Sequence, residues 1–131
     1  MSVNWERVQL LVTALRSREF KQGTGQLRIV DEAGTRHCCL GVATEVALRS
    51  GLDLGEVQRD VEETGFNHWG HLGSLPESVT AWYGFERQDP YVIDPVEGIP
   101  YMAAALNDQY KRSFEEIATA FELTYLQDPE S

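Results

Sequence analysis

The run His37-Cys38-Cys39-Leu40-Gly41-Val42 sets both of the chain's cysteines side by side, at a point where strand-like sequence gives way to a helical repeat. The first turn of a helix offers unpaired backbone N–H groups and a partial positive charge. Both favour thiolate over thiol and can bring a cysteine below its ordinary pKa of about 8.5. A thiol-dependent hydrolase or transferase built here needs a base and an orienting group within hydrogen-bond reach. Cys38 or Cys39 is then the candidate nucleophile, His68 or His71 the candidate base, and Asn107 or Asp108 the candidate orienting group. His37 serves Cys38 poorly, because neighbouring side chains on a strand point to opposite faces. Packing is the competing reading. Cysteine is among the most buried residue types, so Cys39 is also expected as the first core residue of its helix and Cys38 as an inward strand residue.

The remaining chemistry is sparser. A transition-metal site would need long-range convergence of His37, Cys38 and His68 or His71. Two adjacent thiols spread poorly over a tetrahedron, so no metal and no other cofactor is expected. Glu56, Asp60, Glu62 and Glu63 have neither the spacing of a calcium loop nor a readable carboxylate separation, and read as a solvated acidic face. Gly23-Thr24-Gly25 precedes a strand instead of opening a helix and has no following Gly-Lys-Ser, which excludes a phosphate loop. Its flanking residues Lys21, Gln22 and Arg28 nevertheless have the hydrogen-bonding capacity for a small polar or anionic ligand, with Trp69 as an aromatic contact. Trp82 and Tyr83 are expected mainly in the core.

The elements that must position these residues follow from periodicity. Trp5, Val8, Leu11, Val12 and Leu15 keep helical spacing behind Asn4 as N-cap. Gln26 to Val30 and Thr35 to Cys38, joined through Glu32-Ala33-Gly34, read as a β-hairpin whose second strand delivers the cysteines. Cys39, Val42, Ala43, Val46 and Ala47 form one apolar helical face closed by Gly51. Ser74-Leu75-Pro76-Glu77 reads as a capping box opening a short helix through Val79 and Trp82 to Gly84. Asp89-Pro90 and Asp94-Pro95 bracket a short strand, Tyr91-Val92-Ile93. Asn107 reads as a turn residue satisfying local backbone donors. Ser113 with Glu116 starts a last helix carrying Phe114, Ile117, Ala118, Phe121 and Tyr125. The expectation is an α+β fold: one domain over residues 1–126, with an N-terminal helix, a hairpin leading into a central helix and two further helices. Residues 127–131 are expected to form a frayed tail.

Of 131 residues, 42% are hydrophobic, enough for a core without staples; two adjacent cysteines make a strained disulfide, which points to a reducing compartment. With 11 Lys and Arg against 21 Asp and Glu, the formal charge of −10 argues against nucleic acid as a partner. Met1 to Arg7 carry no apolar export core and no run approaches about 18 apolar residues, so no membrane association is expected.

The pieces Ala14-Leu15-Arg16-Ser17, Gln22 to Arg28, Cys38-Cys39-Leu40-Gly41-Val42, Leu75-Pro76, Trp82-Tyr83-Gly84, Leu106-Asn107-Asp108, and Ser113-Phe114 with Glu116-Ile117-Ala118 occur in this order over most of the chain. Together they resemble a family of small uncharacterised proteins of tailed phages and prophages. That resemblance implies a phage accessory protein in the cytoplasm of a bacterial host, with a host protein or a small polar ligand as its partner and with no activity attached.

Overall fold

The computed structural model describes residues 3–54 and 73–126. Helix α1 (Trp5–Arg16) starts where expected, with the Asn4 side chain accepting from the Arg7 N–H at 3.1 Å. It buries Val8, Leu11, Val12 and Leu15. Strand β1 (Lys21–Gln22) runs parallel to β3 (Gly34–His37), and β2 (Arg28–Asp31) runs antiparallel to β3, giving the order β1-β3-β2. Helix α2 (Cys39–Arg49) follows β3 directly. Gly51, just past its Ser50 C-cap, takes φ +102°, a conformation that glycine adopts without steric cost.

Helix α2 is the centre of the molecule. Eight of its eleven residues, from Cys39 to Thr44 together with Val46 and Ala47, are buried, as befits a helix buried over most of its surface. Its first turn lies so close to the chain entering β2 that a Cβ on Gly41 would sit 1.7 Å from the Leu27 carbonyl oxygen. Only glycine fits there. The Gly41 of the Cys-Cys-Leu-Gly-Val run is thus a packing requirement of the strand-to-helix junction.

Helix α3 (Glu77–Tyr83) ends on the left-handed Gly84, as read from sequence, but its start differs. Ser74 does not open a capping box. Pro76 is the N-cap and contributes no side-chain bond. Two causes keep the preceding chain extended: a residue before proline is pushed out of the helical region, and the Leu75 N–H is held by the Gln88 carbonyl at 2.9 Å. Strand β4 (Tyr91–Ile93) pairs antiparallel with β5 (Pro100–Met102), which runs straight into the short helix α4 (Ala103–Asp108). Helix α5 (Phe114–Tyr125) carries the full Ser113/Glu116 capping box and buries Phe114, Ile117, Ala118, Ala120 and Phe121. Arg16 of α1 reaches Glu115, Thr119 and Glu122 of α5, tying the two long helices together.

The α+β class and the order of helix, hairpin, central helix and later helices are those expected. The described residues add β1, β5 and α4. Asn107 and Asp108 close a helix instead of occupying a free turn. The Trp69, His68 and His71 candidates, the acidic cluster from Glu56 to Glu63 and the tail 127–131 lie outside the described residues.

Candidate functional site

The two cysteines are walls of the core. Cys38 is 3% exposed and Cys39 is fully buried. Cys38 is the N-cap of α2, but its side chain makes no capping bond. Its backbone N–H donates to the Leu27 carbonyl at 3.3 Å, and its own carbonyl accepts the first intrahelical bond, from Val42, at 3.1 Å. Burial pushes the Cys38 thiol up to about 11; the Gly41 and Leu40 N–H groups of the helix start pull the other way but do not outweigh it, and the Asp108 charge adds to the rise. Burial likewise pushes Cys39 well above the ordinary thiol range, and its Sγ lies 3.5 Å from the Ala103 carbonyl. Desolvation therefore wins over the helix dipole, and both groups are thiols at neutral pH. Neither thiol meets the requirement of a thiolate nucleophile, which is an exposed and electropositive setting.

The missing cap of α2 comes from far along the chain. Asn107 Oδ1 accepts from the Cys39 N–H at 3.2 Å and from Gln22 Nε2 at 2.9 Å. Its Nδ2 donates to the Gly23 carbonyl at 2.7 Å and to Asp108 Oδ1 at 2.7 Å. Asn107 is fully buried, and its amide is saturated by these four partners. Gln22 also donates to the Arg112 carbonyl at 2.7 Å. Asn107 and Asp108 thus lie at the start of α2 beside the cysteines, but Asn107 orients backbone and not an imidazole. Gln22, read as a ligand contact, is a structural tether.

The same strands and α2 also line a polar cleft of about 390 Å³. Lys21 and Arg28 line it, together with Thr35 and His37 of β3 and Glu45 and Arg49 of α2. Glu19 and Phe20 complete the lining. His37 Nε2 is 3.4 Å from Glu45 Oε1, and Arg28 Nη1 is 4.0 Å from the same oxygen. The Phe20 ring meets the His37 ring edge-on at 5.1 Å, while the Arg49 guanidinium lies 5.0 Å over Phe20 and bonds Glu19 at 2.7 Å. Burial alone would raise the Glu45 carboxyl, but the His37 hydrogen bond and the charges of His37, Arg28 and Arg49 hold it below the usual carboxylate range. The other ring nitrogen, His37 Nδ1, is buried with no partner.

Two of the sequence-predicted ligand residues, Lys21 and Arg28, therefore share one cleft. Sequence reading missed Thr35, Glu45 and Arg49 and gave His37 no place in a binding site. A signal existed. Glu45 and Arg49 are the only charged residues of α2, one turn apart on the same face of an otherwise core helix. A larger open groove of about 730 Å³ runs along α3 and carries Glu77, Glu86 and Asp89 against Arg87. Among the described residues, no side chain lining it has a buried polar atom without a partner, whereas the smaller cleft is lined by His37, whose Nδ1 is such an atom. Among the described residues, no group of three His, Cys, Asp or Glu side chains is placed to hold a metal ion, and no helix is long and apolar enough to cross a membrane.

The fold and site define a small α+β domain with a packed cysteine junction and a polar cleft behind it. The chain belongs to the family described as Domain of unknown function (DUF8296), which it matches over residues 4–125, from the N-cap of α1 to the last residue of α5. No curated protein and no solved structure matches the chain.

Proposed function

We propose that the protein is a non-catalytic binding module, a phage accessory protein of the bacterial host cytoplasm, whose ligand is small and polar and occupies the cleft between the hairpin and α2. The phage setting is supported by the motif resemblance alone. The binding reading is carried by one observation: the cleft of about 390 Å³ has the size of a small-molecule site and a few convergent polar groups, one of them the unpartnered His37 Nδ1. The buried, proton-retaining thiols count against the thiol-enzyme alternative. Thermal melting of the protein against a panel of polar small molecules, in parallel with a cleft-filled Thr35→Trp variant, tests the reading. The expected result is a compound that raises the melting temperature of the native chain and leaves the variant unmoved. A panel that never distinguishes the two overturns it.

A second reading, a host-protein partner, draws on a different face. Tyr91, Val96, Ile99 and Met102 are large apolar side chains exposed at 47%, 59%, 48% and 36% on and beside the β4–β5 hairpin. A host protein retained by the native chain and released by Ile99→Glu supports that reading. One retained equally by both refutes it.

A further inference from the structure

We infer that the ligand of the hairpin–α2 cleft carries a compact anionic group, a carboxylate or a phosphate, received by Lys21, the Thr35 hydroxyl and His37 Nδ1. This rests on the binding reading above and narrows it to a ligand chemistry.

The cleft holds three fixed cations, Lys21, Arg28 and Arg49, and two carboxylates, Glu19 and Glu45. Both carboxylates are already engaged. Arg49 holds Glu19 at 2.7 Å, and Glu45 faces His37 and Arg28 at 3.4 and 4.0 Å. Lys21 lines the same cleft, and among the described residues no carboxylate pairs with it. On a chain of formal charge −10, this leaves a locally positive concavity. Such a concavity focuses anions where the rest of the surface repels them.

The hydrogen-bonding capacity agrees in sign. The Thr35 side chain has no hydrogen-bond partner among the described residues. His37 is 5% exposed, and its Nε2 is directed at Glu45, so the ring is fixed and only Nδ1 remains to be satisfied. With Nε2 donating to Glu45, an acid oxygen meets Nδ1 in either protonation state of the ring. A protonated ring donates from Nδ1 to the anion, and a neutral ring accepts the proton of a hydrogenphosphate or a carboxylic acid.

Calorimetric titration with inorganic phosphate and with acetate, beside neutral glycerol and sodium chloride at matched ionic strength, tests this on the native chain and on Lys21→Gln, Lys21→Glu and Thr35→Val. Lys21 is exposed, so its replacement leaves the fold intact. The expected result is binding of phosphate or acetate that weakens in steps through Lys21→Gln to Lys21→Glu, by about tenfold for the reversal. Binding should also weaken in Thr35→Val and fall as salt rises. Phosphate alone, or acetate alone, identifies which acid the site takes. Anion binding indifferent to all three variants overturns the inference. Neutral polar compounds that bind and are lost on filling the cleft, with anions excluded, overturn it while leaving the binding reading in place.

Discussion

Cys38 and His37 are neighbours in the chain, yet one faces the packed interior and the other walls a polar cleft. On the interior side the groups described are enclosed or paired. Cys38 and Cys39 are protonated and enclosed, and the Asn107 amide is saturated by four partners. On the cleft side groups remain uncommitted, namely Lys21, the Thr35 hydroxyl and His37 Nδ1. The difference teaches that the reactive residue type is a poor guide to the reactive surface. The same strand-to-helix junction presents two faces, and environment decides which of them retains chemical capacity.

The interior face should respond to substitution through stability and the cleft face through binding alone, and four changes grade that contrast. Gly41→Ala has the largest expected effect. Its methyl group has nowhere to go but into the Leu27 carbonyl, at 1.7 Å, so α2 must shift away from the hairpin. A loss of about 4 kcal/mol, or no folded protein at all, is expected in urea denaturation. A stable Gly41→Ala protein would mean that the junction is much looser than described.

Asn107→Leu comes next. It strands the Cys39 N–H and the Gly23 carbonyl in the core and should cost about 3 kcal/mol. Asn107→Asp keeps the acceptor for Cys39 but loses both Nδ2 bonds and sets a second carboxyl against Asp108, so at neutral pH it should destabilise at least as much as Leu; a Leu variant as stable as the native chain would show that the cap of α2 matters little.

The third concerns pH. Because burial raises the Cys38 thiol to about 11, above its ordinary range, the folded state prefers the thiol. That contribution to stability is complete below about pH 9 and is lost as pH rises through about 11. Iodoacetamide at pH 5 to 9 should therefore leave both cysteines unlabelled until denaturant is added. Rapid labelling of either one would place thiolate chemistry back on the interior face.

The smallest expected effect is that of Lys21→Gln on stability, within about 0.5 kcal/mol by thermal melting, since the side chain is exposed and pairs with no carboxylate among the described residues. A marked destabilisation would make Lys21 part of the scaffold and erase the contrast.

What the sequence reveals of this architecture tracks the length over which a pattern can accumulate. The helices α1, α2 and α5 run 11 or 12 residues each, long enough for apolar spacing to show, and α1 and α5 announce their starts with Asn4 and Ser113. Strand β1 has two residues, β5 three and α4 six, too few for any period to emerge. The capping box at Ser74 misled because Pro76 acts on the residue before it, a constraint stronger than the pattern of side chains. The site was half legible. Lys21 and Arg28 stood out beside a glycine turn, but Asn107 looked like an ordinary turn residue because its partners, Gln22, Gly23 and Cys39, are distant in sequence. Glu45 was hidden by its apolar neighbours.

The Asn107 amide has a further consequence for the order in which the chain acquires its shape. The central helix has no cap of its own and takes one from a residue 68 positions downstream. During synthesis α2 leaves the ribosome long before Asn107 does, so its first turn is expected to lack this cap until α4 has docked. Completion of the centre is thereby tied to arrival of the carboxy-terminal third. A fragment ending before α4 should show a hairpin and α2 whose leading amides exchange freely with solvent, and a truncation after α5 should restore their protection.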